Sequence, residues 1–371
     1  MTTPPFCPNP ECGEHHRVGG ATSRWWVSNG YYFSNRSGRT HRFRCVVCGR
    51  QFSEATFSTE YFTKKRLNLP RLHRLLVNGN SVRATARQMF VSPTTITHRI
   101  MLLCRQSLAL HGELAETLTP GEDLVADGFQ SFWVSQFHPN NFNILAGADS
   151  QYLYAMSTVT LRRSGRMTER QQQIRDAIET RYPPDPQALE WSFTELMDEA
   201  GRLWERMQES GRTLRSDEHQ TYPRCLKWCG TESVSHVTVS SRLRRNGDNP
   251  LFAVNYLDRE IRKDLAEHHR ETVCFARHAA LSTARMWIYQ VWHNVDKAYR
   301  ICPRASISHA EAAGIPASTV KRARLGLLTQ RAFLSRSRLG HLDRTVWVAM
   351  IPTPERVCRT NRRLTPRYTM A

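Results

Sequence analysis

Long apolar runs are missing from this chain of 371 residues. No stretch approaches the ~20 apolar residues that a membrane-spanning helix needs, and the opening residues, Met1 to Pro5, lack the apolar region of a signal peptide. Internal repeats and low-complexity tracts are also lacking, and the ten cysteines do not form the framework of a small disulfide-rich secreted domain. We therefore expect a cytoplasmic protein with no membrane partner.

Negative charge is scarce at both ends of the chain. Residues 1–105 contain 16 Lys and Arg against 4 Asp and Glu, and residues 320–371 contain 12 against 2. The segment between them, 106–319, contains 24 against 27, so the net charge of +19 resides at the two ends. This distribution predicts nucleic-acid contacts on both sides of a globular centre. The length predicts two or three domains.

Four of the cysteines form two close pairs, Cys7-x4-Cys12 and Cys45-x2-Cys48, separated by 32 residues. Four thiolates in two pairs supply the tetrahedral ligand set of structural Zn²⁺ and leave no open coordination position. The intervening residues alternate in polarity around a turn, as is typical of strands. We predict a zinc ribbon over residues 1–62; unliganded cysteines are the alternative.

Residues 63–118 predict a helix-turn-helix. The pattern indicates a helix over Leu72–Val77, a second helix from the N-cap Ser81 to Phe90, and a third with Pro93 in its first turn. The last helix of such a motif enters a DNA groove. A helical hairpin without DNA contacts has the same periodicity. The predicted DNA-contacting residues are Arg83, Arg87, Thr94, Thr95, Thr97, His98 and Arg99.

Residues 119–300 change to a pattern of strands followed by helices. Three strand-like runs joined by short turns come first, and a polar helical insertion follows over about 165–212. A strand, a helix, a fifth strand and a long helical region complete the order. This is the order of an RNase H-like α/β fold, in which the first and fourth strands are neighbours. Asp127 lies in the first strand and Asp217 ends the fourth, so we expect their carboxylates to approach each other.

Short motifs in this chain resemble those of bacterial insertion-sequence transposases of the DDE superfamily, in the branch with a zinc ribbon and a helix-turn-helix. The motifs are Ala126-Asp127-Gly128-Phe129, Ser216-Asp217-Glu218-His219, Asn255–Arg262 and Arg270–Arg277. The resemblance covers residues 1–300, as architecture plus short motifs. It implies a nucleoid-associated DNA transposase that binds the terminal repeats of its element, cleaves them, and joins the freed 3′-hydroxyl to target DNA. Because two ends must be handled together, it also implies a homo-oligomer.

The resemblance implies that Asp127, Asp217 and Asp258 are the catalytic residues and bind Mg²⁺ or Mn²⁺, which prefer hard carboxylate ligands. The family usually places a Glu seven residues before an Arg, and that position is Asn255 here. Asp258 lies on the same helical face, and Glu260 is the competing third acid. Two other functions stay open. A lost third acid would leave an inactive DNA-binding regulator, and a metal-dependent DNA nuclease would lack strand transfer.

Residues 301–371 predict a basic C-terminal module. Ser308–Pro316 and Ala317–Arg322 resemble a second helix-turn-helix, and the runs Phe333–Ser337 and Thr345–Ile351 would pair as the wing of a winged helix. A basic helical tail without base readout is the alternative. The last ten residues are expected to be disordered.

Overall fold

The protein is a multidomain α/β molecule with a small N-terminal sheet, a mixed five-stranded sheet and eleven α-helices in the part of the chain that the structure covers. None of these helices is long and apolar enough to cross a membrane. The structure is a computed structural model. It describes residues 3–17, 24–35, 37–119, 121–206, 212–231, 233–269, 274–301 and 303–355.

The N-terminal sheet is antiparallel, as its alternating sequence predicts. Its strands are β1 (Trp26–Ser34), β2 (Gly38–Cys45) and β3 (Gln51–Ser53). A small separate core lies beneath it, in which the Trp25 and Phe52 rings stack with centroids 5.8 Å apart. This core is small, so a unit of this size needs a further source of stability, such as a bound metal ion.

Three helices follow: α1 (Leu69–Leu76), α2 (Val82–Gln88) and α3 (Pro93–Thr117). Each begins where a polar side chain caps the free backbone N–H groups, and the caps of α2 and α3 are Ser81 and Ser92. Helix α3 is far longer than a recognition helix needs to be. Its later apolar residues are buried against α8 (Ala279–Val295), so it joins the helix-turn-helix to the centre of the molecule.

The central sheet has the strand order β6-β5-β4-β7-β8. The first three strands in sequence pair antiparallel, and β7 and β8 add in parallel beside β4. This confirms the expectation that the first and fourth strands of the region are neighbours. The strands are β4 (Leu124–Phe132), β5 (Pro139–Gly147), β6 (Leu153–Thr160), β7 (Thr213–Ser216) and β8 (Ser235–Thr238).

Helices cover both faces of this sheet. They are α5 (Ala188–Trp204), α6 (Thr221–Trp228), α7 (Phe252–Asp264) and α8, whereas α4 (Glu169–Arg181) has no buried residue. Successive strand residues point to opposite faces, so Leu124 and Ala126 of β4 contribute to the core shared with α5, and Val125 and Phe129 to the core shared with α7. By the same alternation, Asp127 projects toward α7.

The C-terminal segment is helical, and the predicted β wing is wrong. It contains α9 (His309–Ala312), α10 (Ala317–Thr329) and α11 (His341–Trp347), so the predicted helical pair is present. The first wing run is a short 3-10 turn, and most of the second run lies in and just after α11. Val346 and Trp347 are buried against α3 and α8, and this packing outweighs their β propensity. The expected disorder of the last ten residues lies outside the described residues.

The two ends of the chain contact each other. The Phe6 and Phe333 rings pack edge to face with centroids 5.1 Å apart, and the Arg336 guanidinium lies 3.9 Å from the Phe6 centroid. Buried His15 places Nε2 within 2.8 Å of Ser335 Oγ. The ribbon and the C-terminal segment therefore form one packed unit, although more than 300 residues separate them.

Candidate functional site

The four cysteines predicted to bind metal converge at one point. The Sγ atoms of Cys7, Cys12, Cys45 and Cys48 all lie within 4.8 Å of one another, with Cys7–Cys48 at 3.6 Å and Cys12–Cys45 at 3.8 Å. Tetrahedral Zn²⁺ with Zn–S bonds of about 2.3 Å has S···S edges of about 3.8 Å. The donor set therefore fits structural zinc, and the predicted convergence of the four cysteines is confirmed.

Local backbone geometry and burial adapt these thiols to a cation. Gly49 N–H donates to Cys45 O at 3.0 Å, and the φ of +73° at Gly49 forms the tight turn that brings Cys48 back toward Cys45. Burial raises the pKa of the Cys7 and Cys12 thiols. Thiolates at these positions consequently need a neighbouring positive charge, which a bound metal ion supplies.

One cleft of about 250 Å³ is lined by Asp127, Asp217 and Asp258. It lies beside β4, where β7 and β8 end. We call it the carboxylate cleft. Strand pairing explains how two of them arrive there: the parallel register joins Val125 to Arg215, so Asp127 and Asp217 lie level two residues further along. Asp258 comes from α7, which packs over β4.

The carboxylates in this cleft repel one another. Burial, followed by the charges of Asp217 and Asp258, raises the pKa of Asp127 from 3.8 to about 6, although the Gly128 N–H donates to Asp127 Oδ1 at 2.7 Å and opposes the rise. A Cβ at residue 128 would press on the Asn141 side chain, which would have to shift to admit it. Such a cleft gains stability when a cation enters it.

Asp258 and Glu260 project in different directions from α7. Arg262 Nε donates to Asp258 Oδ1 at 2.6 Å inside the cleft. Glu260 is only 3% exposed and lies outside the cleft, where the ammonium groups of Lys263 and Lys297 approach it to 2.8 and 2.7 Å. Burial opposes the ionisation of Glu260, but these two hydrogen bonds hold its pKa below the usual value. Of the two candidate acids, Asp258 is therefore the one that faces the other aspartates.

The three aspartates are nevertheless not yet arranged around one point. Within the described parts of the chain, only the four cysteines place three or more ligand atoms within 4.8 Å of one another. The carboxylates share the cleft with Asn255, which lies about one helical turn before Asp258.

The cleft also has a basic rim, which was not predicted from the sequence. Arg245 lines it, as does the exposed Leu243. Both belong to the loop after β8, which is fixed where Glu218 Oε2 accepts hydrogen bonds from the N–H and hydroxyl of Ser241, each at 3.1 Å. The signal in the sequence is the run Arg242-Leu-Arg-Arg245, since three arginines in four residues beside an acid-bearing site favour a phosphate contact.

The predicted DNA-contacting residues fall into two groups. Arg83 and Arg87 of α2 are exposed, as are Thr94 and His98 of α3. Thr95 and Thr97 of α3 are half-buried. Arg99 is buried, so the prediction that it contacts DNA is wrong. Its guanidinium donates to Lys65 O and lies 3.6 Å from Glu60 Oε1. Arg99 follows Ile96 by three residues and therefore shares the inward face of α3.

Comparison with known proteins adds no assignment to this geometry. Neither a protein-family model nor a curated protein matches the chain. The inference of function therefore depends on the two sites themselves, a cysteine cluster that fits zinc and a cleft that three aspartates line.

Proposed function

We propose that this protein is a DNA transposase of the DDE type, with an RNase H-like central domain, that cleaves insertion-sequence ends and transfers them to target DNA. One observation carries the proposal. Asp127, Asp217 and Asp258 come from a strand, a strand end and a helix that are distant in sequence, and all three line the carboxylate cleft.

The sheet supports the RNase H-like assignment. Three antiparallel strands come first, a helical insertion separates them from β7, and two parallel strands extend the sheet beside β4. Helix α7 then crosses the β4 face that carries Asp127. In this arrangement the cleft forms where the ends of two adjacent parallel strands meet a helix.

The donor set of the cleft suits Mg²⁺ or Mn²⁺, because its carboxylates are hard ligands, and burial together with the charges of Asp217 and Asp258 raises the pKa of Asp127. Asp127 and Asp217 would hold the ions, and Asp258 would complete the set by exchanging Arg262 for a cation. When bound, such ions activate the attacking oxygen and stabilise the leaving oxygen of a phosphodiester. Arg245 at the rim would hold the scissile phosphate against the carboxylates.

Double-stranded DNA is the proposed partner, as terminal repeats and as target. The exposed residues Arg83, Arg87 and Thr94 lie on α2 and the first turn of α3, the part of a helix-turn-helix that meets a groove. Because two element ends must be joined in one reaction, we expect a homo-oligomer associated with the nucleoid.

A non-catalytic DNA-binding regulator is the second candidate, and the ion pair of Asp258 with Arg262 favours it. An arginine holds this carboxylate at 2.6 Å, so Asp258 must give up an ion pair before it can bind a metal ion. An amide rather than an acid at Asn255, the usual acid position of the family that the chain resembles, also favours the regulator. A nuclease without strand transfer differs from both in its products.

Cleavage and joining of labelled duplexes that carry the inverted repeats flanking the gene, in Mn²⁺, test these functions. We expect the wild-type chain to cut at the repeat ends and join them to a target plasmid. Asp127→Asn and Asp258→Asn should each abolish cleavage, and Glu260→Gln should retain it. Repeat binding without cleavage would establish the regulator, and cleavage without joined products would establish the nuclease. Loss of activity in Glu260→Gln with full activity in Asp258→Asn would refute the assignment of the third acid.

A further inference from the structure

Phe90 occupies an unusual position in the turn between α2 and α3. Its backbone has a φ of +54°, in the left-handed region, and its side chain is 90% exposed. The residues on either side, Met89 and Val91, pack against the core, so the turn itself is well anchored.

Both properties are unfavourable for the folded chain. A bulky side chain in the left-handed region is strained, and glycine or asparagine adopts this conformation at lower cost. A ring that is almost wholly in water contributes no burial in return. Folding alone therefore gives no reason for phenylalanine at residue 90, which indicates that the ring is used in contact with something else.

The surroundings of Phe90 identify the chemistry of that partner. Phe90 lines an open concavity of about 680 Å³ together with Lys65, Arg83, Arg87 and Pro93. Three of these side chains are positively charged, and all three are exposed. A polyanion with apolar edges matches this combination, since the cations neutralise phosphates and the ring packs on sugars or thymine methyl groups.

We propose that Phe90 is a DNA-contacting residue, which packs its ring on the edge of the groove that α3 enters while Arg83 and Arg87 contact the flanking phosphates. The proposal rests on the DNA binding inferred above and adds an apolar contact to it. Pro93, in the first turn of α3, lines the same concavity, so the ring stands beside the helix end that reaches base edges. A second copy of the chain is the other conceivable occupant, but three cations would repel an identical surface.

A matched set of variants separates the ring from the charge around it. Phe90→Asn removes the ring and suits the left-handed backbone, whereas Phe90→Trp keeps an aromatic face. Arg87→Ala removes a phosphate contact. Phe62→Asn is the control, because Phe62 has a φ of +59° and is 68% exposed but lies outside the concavity.

Fluorescence anisotropy on random-sequence DNA duplexes, over a range of salt concentrations, measures the effect. We expect Phe90→Asn to weaken binding by about tenfold, with an unchanged salt slope and no loss of thermal stability. Phe90→Trp and Phe62→Asn should bind like the wild type. Arg87→Ala should lower the salt slope by about one.

Wild-type affinity in Phe90→Asn, beside a weakened Arg87→Ala, would overturn the role of Phe90 and leave the DNA-binding proposal intact. A change of oligomeric state in Phe90→Asn, measured by light scattering, would assign the ring to a second copy instead. A wild-type chain that binds no duplex would overturn both proposals.

Discussion

Replacing Asp127 with asparagine should stabilise the protein and, under the proposed function, abolish cleavage. The asparagine Oδ1 can still accept the Gly128 N–H, so the substitution removes charge with little change of shape. The charge is what the folded chain tolerates poorly, because burial and the neighbouring Asp217 and Asp258 raise the pKa of Asp127 from 3.8 to about 6. This displacement corresponds to about 3 kcal/mol, at about 1.4 kcal/mol for each pH unit.

The sign of the effect follows from proton binding. Between pH 3.8 and about 6 the folded chain holds the Asp127 proton and the unfolded chain releases it, so the wild type loses stability as pH rises through this window. Above that window the full cost of the buried charge is present, and below it the cost is zero. Asparagine is uncharged at every pH. We therefore expect Asp127→Asn to raise the free energy of unfolding by up to about 3 kcal/mol at about pH 7.5, and by little at about pH 4.

Urea unfolding at the two pH values, in metal-free buffer apart from zinc, measures this difference. Asp149→Asn is the control, because Asp149 is exposed and lies outside the carboxylate cleft. Adding Mg²⁺ at the higher pH should stabilise the wild type by mass action and leave Asp127→Asn unchanged. An equal gain at both pH values, or no gain at either, would refute the argument that the charge of Asp127 is costly in the folded chain.

Other substitutions give expectations that simpler assays check. Arg99→Ala should lower the free energy of unfolding by about 3 kcal/mol in urea titrations, since it removes a buried cation from beside Glu60 and the donor to the Lys65 carbonyl, whereas exposed Arg83→Ala should weaken DNA binding without this loss. Cys45→Ser should reduce bound zinc, measured by mass spectrometry, from one ion per chain to none and make the ribbon protease-sensitive. Glu260→Gln should lower the melting temperature and keep cleavage, because it weakens the hydrogen bonds to two lysines far from the cleft.

Sequence reasoning succeeded where a local pattern determines the structure. The spacing of the four cysteines predicted their convergence, because two knuckles can close on one ion in only a few ways. Strand order likewise predicted that β4 and β7 would be neighbours, which placed Asp127 level with Asp217. The first prediction depends on the spacing of residues along the chain, and the second depends on the order of the strands.

The predictions were wrong where contacts between distant residues determine the secondary structure of a segment or the burial of a side chain. The run Thr345–Ile351 has strand-like composition, but Val346 and Trp347 gain more by packing on α3 and α8 than by pairing in a wing. The local sequence assigns Arg99 to a basic surface, but its partners, Glu60 and the Lys65 carbonyl, lie more than 30 residues away in the chain. The spacing of apolar and polar residues along the chain does not reveal such distant partners.

Helix α3 has a consequence for where bound DNA would lie. Its 25 residues span about 37 Å without a break, from the exposed turn at Pro93 to residues buried in the core of the central domain. The turn that is proposed to meet DNA is therefore held at a fixed distance from the far end of the helix. Under the proposed function, lengthening α3 by one turn should displace the cut by about one to two base pairs, since one turn adds about 5 Å and each base pair spans about 3.4 Å.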